Sequence, residues 1–173
     1  MKVSYLIRKS PLGLMLVAHT DDGLCSVMLG DDEGSLEAEL RGRFPRADIV
    51  HEPRSETGSE YAQQVLSQIS SKAPPLMPRL ASGGTPFQQA VWDALREIPA
   101  GSTASYSDLA RRIGRPRSVR AVAGACAANR IAVVIPCHRA VRSNGDLSGY
   151  RWGVERKRAL LALEGARLTA ASR

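Results

Sequence analysis

Between residues 74 and 84 the chain cannot continue a helix or serve as a central strand. Pro74, Pro75 and Pro78 lack an amide donor and restrict the residue before each of them, and Ser82-Gly83-Gly84 follows at once. This stretch reads as an extended connection. It predicts a boundary between one unit over residues 1–80 and a second over 84–170, a division that suits a chain of 173 residues.

The two sides of the break carry different patterns. Leu14 to Ala18, the turn residues Asp21-Asp22-Gly23, and Leu24 to Leu29 predict a β-hairpin ended by Gly30-Asp31-Asp32. Ser35 is placed to cap a short helix through about Arg43, with Leu36 and Leu40 on one face. Residues 57–71 predict a helix whose apolar stripe is Tyr61, Val65, Leu66 and Ile69. Beyond the break, Thr85-Pro86-Phe87-Gln88 is a capping box with proline at the first helical position. Phe87, Val91 and Leu95 then recur at helical spacing, with Ile98 behind them. Tyr106, Leu109, Ala110 and Ile113 fit a short helix stopped by Gly114, and Pro116 reopens a helix to about Asn129. Two short helices around a glycine turn are a helix-turn-helix pattern.

The second of those helices has two contrasting faces. Val119, Val122 and Cys126 form an apolar stripe, while Arg120, Gly124 and Ala127 leave another face almost bare of side chains. A bare face suits close approach to a surface, and equally suits packing against another helix. Charge bears on the choice. Residues 1–84 hold 9 Lys/Arg and 11 Asp/Glu, whereas residues 85–173 hold 15 and 6. The second half therefore carries +9 against −2 for the first, and 20 of the 24 basic residues are arginine, whose planar fork suits phosphate. This asymmetry points to a polyanion bound by the second half, or to a solvated basic face.

Composition removes other classes. At 43% hydrophobic and 24% charged the chain is globular, and no apolar run approaches a membrane span. No secretory leader is expected, because Val3 to Ile7 runs into Arg8 and Lys9. Three cysteines at unrelated spacings, Cys25, Cys126 and Cys137, are not a disulfide framework, and a reducing cytoplasm follows. No paired C-x-x-C exists to hold zinc.

The chemistry concentrates at Pro136-Cys137-His138-Arg139. The apolar run Ile131 to Ile135 predicts a buried strand that Pro136 ends, which puts Cys137 at the edge of the core beside a histidine. A thiol needs a base to become a nucleophile at neutral pH, and a histidine needs an acid to orient it. Taken alone, the dipeptide fits a buried structural cysteine better.

Ile135-Pro136-Cys137-His138-Arg139 resembles the active-site motif of the O6-alkylguanine-DNA alkyltransferases, also called methylated-DNA–protein-cysteine methyltransferases. Gly84-Thr85-Pro86-Phe87-Gln88, Ser105-Tyr106, Arg120-Ala121-Val122, Asn129 and Ser148-Gly149-Tyr150-Arg151-Trp152-Gly153 fall in family order and spacing. The likeness extends over nearly the whole chain and is greatest to bacterial members, including the methyl-acceptor half of two-part ones. It implies an α/β protein: a small N-terminal α/β domain of ribonuclease H-like type, then a mostly helical C-terminal domain with a helix-turn-helix of winged-helix-like type.

The resemblance also implies roles. Cys137 is the alkyl acceptor, His138 its base through a water, and Glu164 the carboxylate that holds the histidine. Asn129 braces the turn before the active-site segment, and Tyr106 protonates the departing guanine. Arg120 enters the duplex in place of an extruded base, with Ala121, Gly124 and Ala127 close to the DNA. Tyr150, Arg151, Trp152 and Ala140 belong to the base pocket, Ala140 standing where many members have valine. Arg115, Arg117 and Arg142 are candidates for phosphate contacts. The implied partner is double-stranded DNA with alkylated bases, entered through the minor groove by a cytoplasmic monomer. No membrane, cofactor or metal is expected. Two rival classes are a thiol hydrolase and a DNA-binding helix-turn-helix regulator without chemistry.

Overall fold

The computed structural model describes residues 1–70 and 77–166. Pro74, Pro75 and the expected end of the second unit at 170 lie outside the described residues. The chain begins with β1 (Lys2–Ser10), β2 (Gly13–Thr20) and β3 (Gly23–Gly30), followed by α1 (Glu33–Arg43), β4 (Asp48–His51) and α2 (Glu56–Ser70). The remaining elements are α3 (Pro86–Arg96), β5 (Ala104–Ser105), α4 (Tyr106–Arg112), α5 (Val119–Ala127), a 3-10 turn (Cys137–Arg139), β6 (Ala140–Val141) and α6 (Val154–Leu163). The molecule is thus mixed α/β, with six helices and a four-stranded sheet among the described residues. No helix there is long and apolar enough to cross a membrane.

The sheet order is β3-β2-β1-β4, antiparallel except for the parallel β1–β4 pair. The expected hairpin is β2 and β3. Strand β3 is buried along nearly its whole length, and its outer edge pairs with two later segments of the chain. Leu24 N donates to Arg79 O (2.9 Å) and Ala81 N to Leu24 O (2.8 Å). Three residues on, Val27 N donates to Arg130 O and Ala132 N to Val27 O, both at 3.0 Å. An open edge strand is a liability, and here segments 79–81 and 130–132 pair with it. Gly23 is required at the first contact: with φ +130°, an added Cβ would lie 2.3 Å from Arg79 O.

Three local expectations are corrected. Helix α1 is capped by Asp32, not Ser35. Asp32 stays extended and its carboxylate accepts from Ser35 N at 2.7 Å, which makes Ser35 the third helical residue. Helix α5 begins at Val119, not Pro116, because Arg115 to Ser118 close a turn in which Ser118 N bonds Arg115 O. Residues 131–135 are not a strand. Ile131 makes one bridge to Val27, Val133 takes φ +70°, and Ile135 N returns to Ile131 O at 3.1 Å. The reason is Asn129, whose side chain accepts from Ile131 N (2.8 Å) and donates to Ile135 O (2.8 Å), folding the apolar run into a compact buried loop.

The capping box at Thr85 and Gln88 forms, and α3 buries Val91, Trp92, Ala94 and Leu95. Trp92, absent from the expected stripe, donates its indole N–H to Ala125 O at 2.9 Å and so locks α3 to α5. Helices α4 and α5 meet through the turn at Gly114, which has φ +70°.

Candidate active site and nucleic-acid interface

Cys137 opens the 3-10 turn that follows Pro136, and its side chain forms part of the wall of a pocket of about 320 Å³. Tyr106 at the start of α4, Cys126 and Ala127 on α5, and Tyr150 and Arg151 on the loop before α6 also line it. Asn129 Nδ2 donates to Cys137 Sγ at 3.2 Å, so the asparagine that folds the preceding loop also holds the sulfur. Burial pushes the Cys137 thiol above its ordinary range, against the pull of Asn129 and of the Lys157 charge.

Behind the thiol lies a buried charge cluster. His138 Nε2 and Glu164 Oε1 are 2.7 Å apart, with the histidine fully buried. Arg139 binds the same carboxylate through Nε (3.0 Å to Oε2) and Nη2 (2.8 Å to Oε1), and its Nη1 donates to Ile98 O at 2.6 Å. Burial raises the Glu164 carboxyl, but the hydrogen bonds and charges of His138 and Arg139 outweigh it and bring the pKa down to about 2. Burial pushes His138 below its ordinary value, against the pull of Glu164. With Nε2–H donating to an ionised Glu164, Nδ1 is the basic nitrogen, and it has no hydrogen-bond partner among the described residues.

The pocket loop is fixed by a residue that the sequence reading passed over. Lys157, fully buried on α6, donates to Ala140 O (2.7 Å), Leu147 O and Gly149 O (3.3 Å). Burial brings its pKa down to about 8. Its signal was available: Lys157 shares one helical face with Leu160, Leu161 and Glu164, a charge set within an apolar stripe. Arg139 was quoted within the motif but given no task.

The structure brings Cys137, His138, Asn129, Glu164, Tyr106, Tyr150 and Arg151 together. Tyr106 is half-buried, and burial raises its hydroxyl against the pull of Ser148. Two expected pocket residues lie elsewhere. Ala140 is fully buried in β6, paired with Ala104, and lends only its carbonyl to Lys157. Trp152 is turned away into a separate cavity beside Leu12 and Arg156, and touches the pocket only through an edge-on contact with the Tyr150 ring. Cys126, read as a core residue, is buried but borders the pocket.

Arg120, Ala121, Gly124 and Ala127 are all exposed on α5, next to the pocket mouth. A Cβ built on Gly124 would meet nothing within 4 Å. Among the described residues no neighbouring helix covers this bare face, which leaves it open to an external surface. Arg115, Arg117 and Arg142 are exposed as well, the first two in the turn that leads into α5.

Residues 86–166 match the family described as the DNA-binding domain of 6-O-methylguanine DNA methyltransferase. The chain is 48% identical over 162 residues to the Escherichia coli bifunctional transcriptional activator/DNA repair enzyme Ada, a match that covers 94% of this chain and 45% of that protein. It therefore spans about half the length of that relative. Against the methylated-DNA–protein-cysteine methyltransferase of Methanosarcina acetivorans the identity is 36%, covering 94% of this chain and 98% of that protein. Among solved structures, the Mycobacterium tuberculosis protein in complex with DNA superimposes with a TM-score of 0.79 at 33% identity, covering 97% of this chain and 96% of the other.

Proposed function

The chain belongs to the methylated-DNA–protein-cysteine methyltransferases, and from that premise we infer that it repairs O6-alkylguanine in DNA by moving the alkyl group onto its own Cys137. The observation that carries this reading is the thiol at the wall of a base-sized pocket, backed by a buried histidine hydrogen-bonded to a carboxylate and bordered by a bare helix face.

Each residue then has a task. An alkyl group on guanine O6 sits within the base stack, out of reach of a buried sulfur, so the nucleotide is extruded at a cost of a few kcal/mol. Helix α5 enters the minor groove, Arg120 fills the vacated stack, and Ala121, Gly124 and Ala127 permit close approach. Arg115, Arg117 and Arg142 neutralise phosphates. In the pocket, the Cys137 proton passes to His138 Nδ1 through a water, and Glu164 holds the imidazolium so formed. The sulfur attacks the alkyl carbon in line; the S–C bond forms as the C–O6 bond breaks. Tyr106 hands its proton to the leaving guanine, and Asn129 keeps the sulfur aimed. The product is an S-alkylcysteine, which no group in the pocket can reverse.

Around this site the first 80 residues serve as a ribonuclease H-like scaffold, and residues 84–170 form a winged-helix-like unit that binds DNA and accepts the alkyl group. The protein works as a cytoplasmic monomer and uses no metal or cofactor. A regulator without chemistry would have no use for the buried His138–Glu164 pair. The test is a duplex that carries a labelled O6-methyl group. Label should appear on the protein and vanish in Cys137→Ser, while duplex affinity stays within a few-fold. A variant that loses binding in step with transfer contradicts the division between α5 and the thiol.

A further inference from the structure

The outer wall of the pocket is held by a charge network that the displacement itself does not use. Arg151 reaches out of the pocket loop to Glu39 of α1, with Nε 3.4 Å from Oε1, and donates Nη1 to Ala127 O at the end of α5 (3.3 Å). Glu39 is already engaged by Arg43 Nη2, four residues along the same helix. Arg43 is almost entirely buried, with Nη1 donating to Ser26 Oγ (3.1 Å) and to Arg130 O (3.3 Å). Its Nε is buried without a hydrogen-bond partner among the described residues. The Arg130 guanidinium rests 5.8 Å from the centre of the Phe44 ring, and the charges of Arg130 and Arg151 both bear on Arg43.

Two guanidinium groups, those of Arg43 and Arg151, therefore share one carboxylate beside the pocket mouth, with the charge of Arg130 close to Arg43. The cluster holds more positive charge than Glu39 can balance. Of the two that hold Glu39, Arg43 is locked inward, whereas Arg151 is about one-third exposed and holds Glu39 through a single long contact. Part-exposed pairs of this kind exchange readily. The guanidinium fork matches a phosphate better than one shared carboxylate oxygen. Any nucleotide that enters the pocket brings its two flanking phosphates to this rim.

We propose that Arg151 clamps a backbone phosphate of the extruded nucleotide, and that Glu39 holds it ready in the free protein, so that α1 sets how tightly the other half takes DNA. This inference rests on the base-extrusion reading above. The Glu39 carboxylate competes with phosphate for Arg151, and binding exchanges one anion for the other.

The experiment follows binding of the full chain to an O6-methylguanine duplex across a salt series. Arg151→Ala should weaken binding several-fold and lower the slope of log affinity against log salt by about one. Glu39→Gln keeps an acceptor for Arg43 but removes the competing charge. It should tighten binding by about 2–5-fold, leave transfer from the free alkylated base at the unsubstituted rate, and have no effect in an Arg151→Ala background. An unchanged salt slope in Arg151→Ala overturns the proposal, as does weaker binding by Glu39→Gln or a Glu39→Gln effect that persists without Arg151. Failure of the unsubstituted chain to accept an alkyl group would instead sink the repair reading, while the salt slopes still decide the role of Arg151.

Discussion

Among the described residues, the four-stranded sheet buries two polar side chains, Ser4 and Ser26, whereas the stretch from Asn129 to Glu164 buries Asn129, His138, Lys157 and Glu164. The contrast is one of dependence. In the sheet, backbone ladders satisfy the polar groups, and side chains such as Val3, Leu6, Leu16 and Val27 contribute by leaving water. Each acts nearly alone. Around the thiol, buried groups lean on one another: Glu164 on His138 and Arg139, three backbone carbonyls on Lys157, Cys137 on Asn129. Such a network is costly to bury and fails together when one member is lost.

The sharpest way to break this contrast is to remove one member from each region. Glu164→Ala strands His138 and Arg139 in the interior and should cost about 3–5 kcal/mol in urea unfolding, with alkyl transfer by the remaining folded protein slowed as well. Leu16→Ala should cost a comparable ~2–5 kcal/mol through its cavity, yet leave the transfer rate per folded molecule unchanged. If Leu16→Ala slows the folded protein too, the two regions are not energetically separate.

Acid reaches the same network by protonation. The folded pKa of Glu164, about 2, lies below its ordinary 4.5. The stability it supplies is therefore complete above about pH 4.5 and is lost as pH falls toward 2, on the order of 3 kcal/mol in all. Glu164→Gln should flatten that part of the stability profile. An unchanged acid limb would show that other carboxylates govern it.

A smaller effect is expected at the DNA face. Arg120→Ala should slow repair of a duplex by roughly 10–100-fold, the share of the extrusion cost that a wedge offsets, while reaction with the free alkylated base stays at the unsubstituted rate. Equal slowing of both reactions would place Arg120 in the chemistry.

Much of this was legible in the residues, and the exceptions have physical causes. The hairpin, the Thr85 capping box and the short α4 carry local signals, and all three form. Residues 131–135 misled because a continuous apolar run marks burial without specifying its shape; the side chain of Asn129 decides that. Asp32 and Ser35 are both good caps, and only the backbone conformation chooses between them. The gathering of Cys137, His138 and Glu164 was expected from family resemblance, since no local pattern links residues 26 apart. The Glu39–Arg151 contact escaped notice because it depends on how distant segments pack, whereas Lys157 showed locally only as a charge within an apolar stripe, with no sign of the carbonyls it holds.

The central claim is that Cys137 accepts one alkyl group and is consumed. A hydrolase differs because water can attack its acyl-thioester, whereas a thioether on an unactivated alkyl carbon stays. The direct measurement is a titration with excess O6-methylguanine duplex, followed by mass analysis of the digested protein. The account predicts a plateau at about one methyl per active molecule, with the added mass on the peptide that contains Cys137. Demethylated DNA that keeps accumulating past that plateau, with Cys137 unmodified, would show a turnover enzyme and contradict it.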